Sequence, residues 1–117
     1  ECKGASSCST ATFDLSRVEE MQCEEYRSCY AVTAEFTDVA HGFELKAKGS
    51  NSFQDGQITL AFTSSASDPH VDKIECEGGE ACLNADIQID NGSGEVLVID
   101  ELICKGWEAC RGLDVVI

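Results

Sequence analysis

The sequence predicts an all-β solenoid, in which the chain winds through about five stacked coils braced by disulfides. Eight cysteines form four pairs, and five residues separate the two members of every pair. Apolar residues alternate with polar ones after each pair, which is the pattern of a strand with one buried face. The pattern returns every 21 to 29 residues, a length that suits one solenoid turn and is too short for an independent domain.

The cysteine pairs align four copies of a repeat. Their corners read CKGASSC, CEEYRSC, CEGGEAC and CKGWEAC, and they contain Cys2 and Cys8, Cys23 and Cys29, Cys76 and Cys82, and Cys104 and Cys110. The third, fifth and seventh residues after the second cysteine are apolar or small in each copy. These inward positions are Ala11, Phe13, Leu15, Val32, Ala34, Phe36, Ala85, Ile87, Ile89, Leu113, Val115 and Ile117. Each copy therefore predicts a strand that leaves its corner.

A fifth copy lies in the long gap between Cys29 and Cys76. In AKGSNSFQDGQITL, Ala47 replaces the first cysteine and Phe53 replaces the second. Coils that start near residues 2, 23, 47, 76 and 104 thus form a single domain over residues 1–117, or a segment of a longer repeat protein. An apolar column also precedes the corners and predicts a second strand in each coil; it consists of Met21, Leu45, Ile74 and Leu102.

The extra length of the later copies lies in turn-rich stretches. TSSASDPH at 63–70 contains the only proline, and DNGSGE at 90–95 is rich in turn residues, so both are predicted to be loops that leave the coil. Irregular strand spacing leaves one alternative architecture, a small β-sandwich with local disulfides. The alignment of the columns over five copies favours the solenoid.

The strict cysteine spacing fits two disulfide patterns, one within each coil and one between stacked coils. The third copy favours bonds within coils, because it has lost both cysteines together and leaves no orphan thiol. Zinc binding is the alternative use of paired cysteines. Zinc ligands usually lie two to four residues apart and often include histidine, whereas the only histidines here are His41 and His70.

Corners of the form Cys-x5-Cys that lead into a strand resemble those of the disulfide-braced β-helical antifreeze proteins of beetles. The coils here are about twice as long, and in this they are similar to right-handed parallel β-helices of the pectate-lyase kind. These resemblances imply a right-handed parallel β-helix. The ice-binding face of the antifreeze family has a Thr-x-Thr ladder on every coil, and the outward positions here have none. They are Thr12 and Asp14, Thr33 and Glu35, Gln57 and Thr59, Asp86 and Gln88, and Asp114 and Val116.

Charge and composition exclude several classes of partner. The net charge of −14 is unsuited to nucleic acid or to an anionic membrane surface. No stretch reaches the roughly 18 apolar residues of a membrane span. The cysteine content predicts an oxidising compartment and therefore an extracellular, secreted or cell-surface location. The chain opens at Glu1 without a charged and apolar leader, so we expect a secretory signal to be absent or already removed.

The sequence predicts neither an enzyme nor a cofactor. Paired cysteines leave no free thiol, and His41 and His70 are placed in loops rather than in a catalytic site. We assign no metal site, and Ca²⁺ is the one ion that the acidic residues suggest. The acids concerned are Glu19, Glu20, Glu24, Glu25, Glu75, Glu77, Glu80, and the column of Asp86 and Asp114. A solvated acidic face is the simpler interpretation.

Two further residues suggest contacts at the surface. Asn91 begins an N-glycosylation sequon, NGS, in one of the predicted loops. Trp107 replaces a small residue in the last corner, where it is either a partner contact or a packing residue.

The ends of the repeat suggest a structural role. Solenoids need polar caps, and this sequence has none. The closing stretch LDVVI predicts an apolar edge for self-assembly made of Leu113, Val115, Val116 and Ile117. That edge is covered either by flanking repeats of a longer chain or by a second copy in a head-to-tail filament. Alternative functions are a monomeric binder of ice, mineral or glycan, and a fragment of a carbohydrate-active β-helix.

Overall fold

A computed structural model describes residues 2–4, 8–16, 20–39, 42–64 and 69–117. In these ranges every regular element is a β-strand. The strands are β1 (Cys2–Lys3), β2 (Thr12–Ser16), β3 (Glu20–Glu24), β4 (Thr33–Val39), β5 (Gly42–Lys48), β6 (Gln57–Phe62), β7 (His70–Glu77), β8 (Asp86–Asn91), β9 (Val98–Lys105) and β10 (Asp114–Val116).

The strands form two parallel sheets. The first sheet has the order β1-β3-β5-β7-β9, and the second has the order β10-β8-β6-β4-β2. Strands that are consecutive in sequence always belong to different sheets, so each coil contributes one strand to each sheet. The predicted all-β solenoid is therefore confirmed, while its right-handed sense stays a prediction. Every pairing between described strands is parallel, which rules out the antiparallel β-sandwich.

The strand registers reproduce the columns of the sequence. In the first sheet, Cys23, Ala47, Cys76 and Cys104 lie side by side on neighbouring strands. In the second sheet, the corresponding row is Ala34, Ile58, Ile87 and Val115. The inward residues of both sheets meet in one continuous core, and Leu45, Val71 and Phe53 are fully buried in it. Stacking thus gives each coil the buried face that a single coil cannot form alone.

The corners between the two strands of a coil form a third column of contacts. The N–H of Cys29 donates to the carbonyl of Ser52, Phe53 to Ala81, and Cys82 to Ala109, over 2.7, 2.7 and 2.8 Å. Each bond runs from one coil to the next along the chain. Left-handed residues recur in every corner, such as Asn51 and Asp55 in the third. The corner is therefore a regular backbone unit that repeats with the coil.

In three corners, the residue two places after the first cysteine position is a glycine at which a side chain would be strained and would contact the preceding coil. Gly49, Gly78 and Gly106 have φ values of +115°, +125° and +115°. A Cβ atom at Gly78 would lie 2.8 Å from the carbonyl carbon of Gly49 in the preceding coil. The second coil departs from this pattern, because Glu25 occupies the same column with a φ of 84°.

We expect Glu25→Gly to stabilise the protein. A left-handed conformation costs an L-residue about 1–2 kcal/mol, and glycine removes that cost while making the unfolded chain more flexible. The free energy of unfolding should rise by about 1 kcal/mol, measured by denaturant titration. The control is Glu24→Gly on β3, one residue away in an extended strand, which should instead destabilise by about 0.5–1 kcal/mol. Equal effects of the two substitutions would contradict the assignment of strain to Glu25.

Candidate functional site

Disulfides close the corners within coils. Cys23 bonds to Cys29, Cys76 to Cys82, and Cys104 to Cys110, with Cα–Cα separations of 5.6, 5.8 and 5.7 Å. Cys8 is disulfide-bonded as well, and the side chain of its expected partner, Cys2, lies outside the described residues. Among the cysteines that the structure describes, none is free, so none offers a thiol nucleophile.

The third corner uses apolar packing where the others use a disulfide. Ala47 and Phe53 are both fully buried at the two cysteine positions. The Phe53 ring extends beyond its own position, because a Cβ atom at Gly56 would come within 2.7 Å of ring carbon Cδ2. Gly56 occupies the column in which the second coil has Val32, also fully buried. A large ring and a missing side chain therefore compensate each other.

The last coil presents core-type side chains to solvent. We call the surface made by β9, the corner at 104–110 and β10 the terminal edge. Leu102 is 55% exposed there, whereas Leu45 and Ile74 of the same column are 0% and 2% exposed. Ile117 is exposed too, and Val98 and Val116, which are in register with outward-facing His70 and Gln88, add further apolar surface. Of the four residues predicted to form the self-assembly edge, Leu113 and Val115 pack partly against the core, and Val116 and Ile117 face solvent.

The terminal edge also carries unpaired backbone donors. In the fourth coil, the N–H groups of Gly78, Glu80, Cys82 and Asn84 donate to carbonyls of the last coil. The equivalent groups of the last coil belong to Gly106, Glu108, Cys110 and Gly112, and in the described part of the chain they donate to no backbone carbonyl. The edge thus combines apolar side chains with a row of donors that has the periodicity of a further coil.

A ladder of ion pairs crosses the outer face of the first sheet. Lys46 on β5 contacts Glu20 at 3.0 Å and Glu44 at 3.4 Å, and Lys48 contacts Glu75 at 3.7 Å. Hydrogen bonds from Gln22 and then Lys46 lower the pKa of Glu20, and Glu20 in turn raises the pKa of Lys46. Glu75 is buried at 8% exposure, but the other groups of the ladder are partly exposed, so their ion pairs order surface charge more than they stabilise the fold.

Several acids that suggested Ca²⁺ binding have local partners. Glu75 and Glu77 pair with Lys48, and Glu80 accepts a hydrogen bond from Asn51 at 2.8 Å. Asp86 and Asp114 are register neighbours on the second sheet, as the shared column predicts. One oxygen of Asp86 is buried without a hydrogen-bond partner among the described residues.

The outer face of the second sheet is polar and uneven. Its register rows include Thr33, Gln57 and Asp86, and beside them Glu35 and Thr59. No threonine ladder runs along the rows between described strands. A shallow depression of about 90 Å³ lies on this face and is lined by Gln57, Ile58, Thr59, Asp86 and Gln88.

His70 lies in a different place from the one the sequence predicted. It is the first residue of β7 rather than part of a loop, and its Nε2 atom lies 2.8 Å from an oxygen of Asp72. Asp100 on β9 is the third member of what we call the His–Asp cluster. Two signals in the sequence point to it: the alternation in HVD, and the 28-residue period that brings Asp100 beside Asp72. His41 lies outside the described residues.

Asn91 is partly exposed, and Trp107 is largely exposed. Asn91 ends β8, and its side-chain amide donates to the carbonyl of Glu95 at 2.7 Å while its oxygen accepts from Ser93. Trp107 is 69% exposed at the terminal edge, and its carbonyl accepts from Glu80. The exposure of Trp107 fits a contact residue better than a residue packed within the corner.

No protein-family model, curated protein or solved structure matches this chain. Within the described ranges there is also no helix of the length and hydropathy needed to cross a membrane. The disulfides are compatible with an extracellular location.

Proposed function

We propose that this protein is a secreted structural subunit whose copies stack end to end into an extracellular filament. The terminal edge is the observation that supports the proposal most directly. Its inward-column residue Leu102 is 55% exposed, although the equivalent residues of the preceding coils are buried. Covering these side chains would stabilise an assembly by about 25 cal/mol for each Å² of apolar surface removed from water.

A second copy of the chain is the occupant that fits this edge. The described corners before the last donate N–H groups to the carbonyls of the next coil, and the first coil of a second copy would offer the carbonyl of Ser9 at an equivalent position. The carbonyl of Tyr30 accepts from Thr10, and Ser9 is its equivalent one coil earlier. Repeated head-to-tail contact of this kind generates an open filament rather than a closed dimer.

The high negative charge predicts a salt-dependent assembly. At −14 per chain, stacked copies repel one another unless counterions screen them. Fibres should therefore form more readily at about 0.15 M salt, where the Debye length is about 8 Å, than at 0.01 M, where it is about 30 Å.

Electron microscopy of the purified, non-reduced chain at neutral pH tests the proposal. We expect fibres whose axial repeat is close to five coils, roughly 24 Å at about 4.8 Å per coil. Leu102→Lys should abolish the fibres, because it places an ammonium group in the contact. Gln88→Lys adds the same charge on the outer face of β8, one strand in from the edge, where a stacked copy would not cover it, and should leave fibres intact. Unchanged circular dichroism and thermal unfolding would show that both variants fold.

Two outcomes would overturn the filament. The wild-type chain could remain dispersed at all concentrations and salt levels tested. Alternatively, Leu102→Lys could assemble as well as Gln88→Lys, which would place the contact elsewhere. In the first case a surface-binding monomer or a segment of a longer solenoid would be the better explanation, and in the second the terminal edge would not be the contact.

The proposal also includes the compartment of the protein, a glycan on Asn91 and the absence of ice binding. The chain is a non-enzymatic protein of an oxidising, extracellular compartment. A glycan on Asn91 would lie at the end of β8, away from the corner disulfides. The resemblance to the beetle antifreeze proteins extends to the braced corner, and we do not extend it to ice binding because the outer rows lack the threonine ladder.

A further inference from the structure

The His–Asp cluster brings one imidazole and two carboxylates together on the outer face of the first sheet. One ligand-type atom from each of His70, Asp72 and Asp100 lies within 4.8 Å of the other two. His70 and Asp72 are two residues apart on β7 and so face the same side. Asp100 reaches them from the neighbouring strand β9.

A local irregularity in β7 creates this convergence. The register between β5 and β7 pairs Phe43 with Val71 and then Glu44 with Lys73, so Asp72 is an extra residue on its strand. Bulges of this kind redirect a side chain and recur next to functional sites. Between β7 and β9 the register is unbroken, and it places Asp72 between the rows Val71–Ile99 and Lys73–Glu101. Asp72 therefore faces Asp100.

A glycine provides the space for the Asp72 carboxylate. Gly42, on β5, pairs with His70, and a Cβ atom there would lie 2.8 Å from the carboxyl carbon of Asp72. Any larger residue at this position would push the carboxylate out of the cluster. The site thus rests on three neighbouring strands.

Electrostatics favour a cation at this position. Like charges that face each other on neighbouring strands destabilise a sheet, and Asp72 and Asp100 are such a pair in a chain of net charge −14. Lys73, the nearest lysine along β7, instead contacts Glu44 at 3.9 Å.

We propose that His70, Asp72 and Asp100 bind a divalent transition-metal ion of the Zn²⁺ class. An imidazole nitrogen with carboxylate oxygens is a common ligand set for zinc and its neighbours. Ca²⁺ fits poorly, because it prefers six to eight oxygen ligands. The ion would join β7 to β9 and so tie the last coil to the one before it. The side chains of this site are different from those that support the proposed filament, although Asp100 lies on β9 of the terminal edge.

Calorimetric titration of the chelator-treated, disulfide-intact chain with ZnCl₂ tests the site. We expect saturable binding of a single ion per chain and a rise in the thermal midpoint. Asp100→Asn should weaken the binding roughly tenfold or more, since even residues behind the ligands change metal affinity by about 10–100-fold. Glu101→Gln removes the same charge one residue away and should bind Zn²⁺ as the wild type does.

Two further measurements test whether His70 is a ligand and whether the site prefers Zn²⁺ to Ca²⁺. His70→Asn should lose binding as Asp100→Asn does, and the NMR ring signals that disappear in this variant should be those that Zn²⁺ shifts in the wild type. CaCl₂ titrated in the same way should bind much more weakly. Equal affinities for Zn²⁺ and Ca²⁺, or equal losses in Asp100→Asn and Glu101→Gln, would overturn the assignment, as would the absence of saturable Zn²⁺ binding.

Discussion

Gly78→Ala should lower the free energy of unfolding far more than Gly4→Ala, although the two glycines occupy the same column of the corner. Both have positive φ, at +125° and +100°, so each alanine must adopt a left-handed conformation. Gly78 faces a second constraint, because its Cβ would lie 2.8 Å from the backbone of Gly49. Gly4 has no atom of the described residues within 4 Å of its Cβ position. The difference between the two variants therefore isolates the cost of crowding between coils.

The two variants should differ in their free energy of unfolding by enough to be measured. Left-handed strain should cost Gly4→Ala about 1–2 kcal/mol. Gly78→Ala should lower the free energy of unfolding by about 2–6 kcal/mol. Backbone strain contributes about 1–3 kcal/mol of this, and overpacking against the backbone of Gly49, which has no rotatable side chain to move, contributes a similar amount. Denaturant titration under non-reducing conditions gives both values. Equal losses would mean that neighbouring coils can separate slightly at the corner, and that the close stacking at Gly49 is not needed for stability.

The repeat in the sequence was sufficient to predict the fold because the columns express a physical constraint. Each inward residue must stack on its equivalent in the next coil, so Leu45, Ile74 and Leu102 reveal the register directly. The joint loss of two cysteines at Ala47 and Phe53 likewise pointed to bonds within coils. Periodicity carried this information without any knowledge of three-dimensional contacts.

The features that the sequence did not predict break the periodicity. The bulge at Asp72 shifts the register by one residue, and hydrophobic alternation cannot show where an extra residue is absorbed. Pro69 and the polar stretch before it predict a loop at His70, whereas the structure begins β7 there. The 28-residue period places Asp100 beside Asp72, but the position of Gly42, which leaves room for the Asp72 carboxylate, depends on the bulge and is visible only in the structure. Glu25 in the glycine column was also not recognised as a strained position.

The third corner should show strong coupling between Phe53 and Gly56. Phe53 is fully buried, so Phe53→Ala should cost about 3–5 kcal/mol through loss of apolar contact and the cavity left behind. Gly56→Val should cost about 1–3 kcal/mol, because its side chain would enter the space of the Phe53 ring. In the double variant the valine fills part of the cavity. The combined loss should therefore fall short of the sum by about 1–3 kcal/mol, as expected for residues in contact.

A disulfide should replace this packing arrangement completely. Ala47→Cys combined with Phe53→Cys and Gly56→Val recreates the arrangement of Cys23, Cys29 and Val32 in the second coil, where all three are fully buried. Mass spectrometry of the non-reduced chain should show the additional bond. In this background Gly56→Val should be neutral or stabilising, whereas in the wild type it destabilises. If the valine remained equally destabilising in both backgrounds, the glycine would be required by the backbone of the corner rather than by the ring, and the two solutions to closing a coil would not be interchangeable.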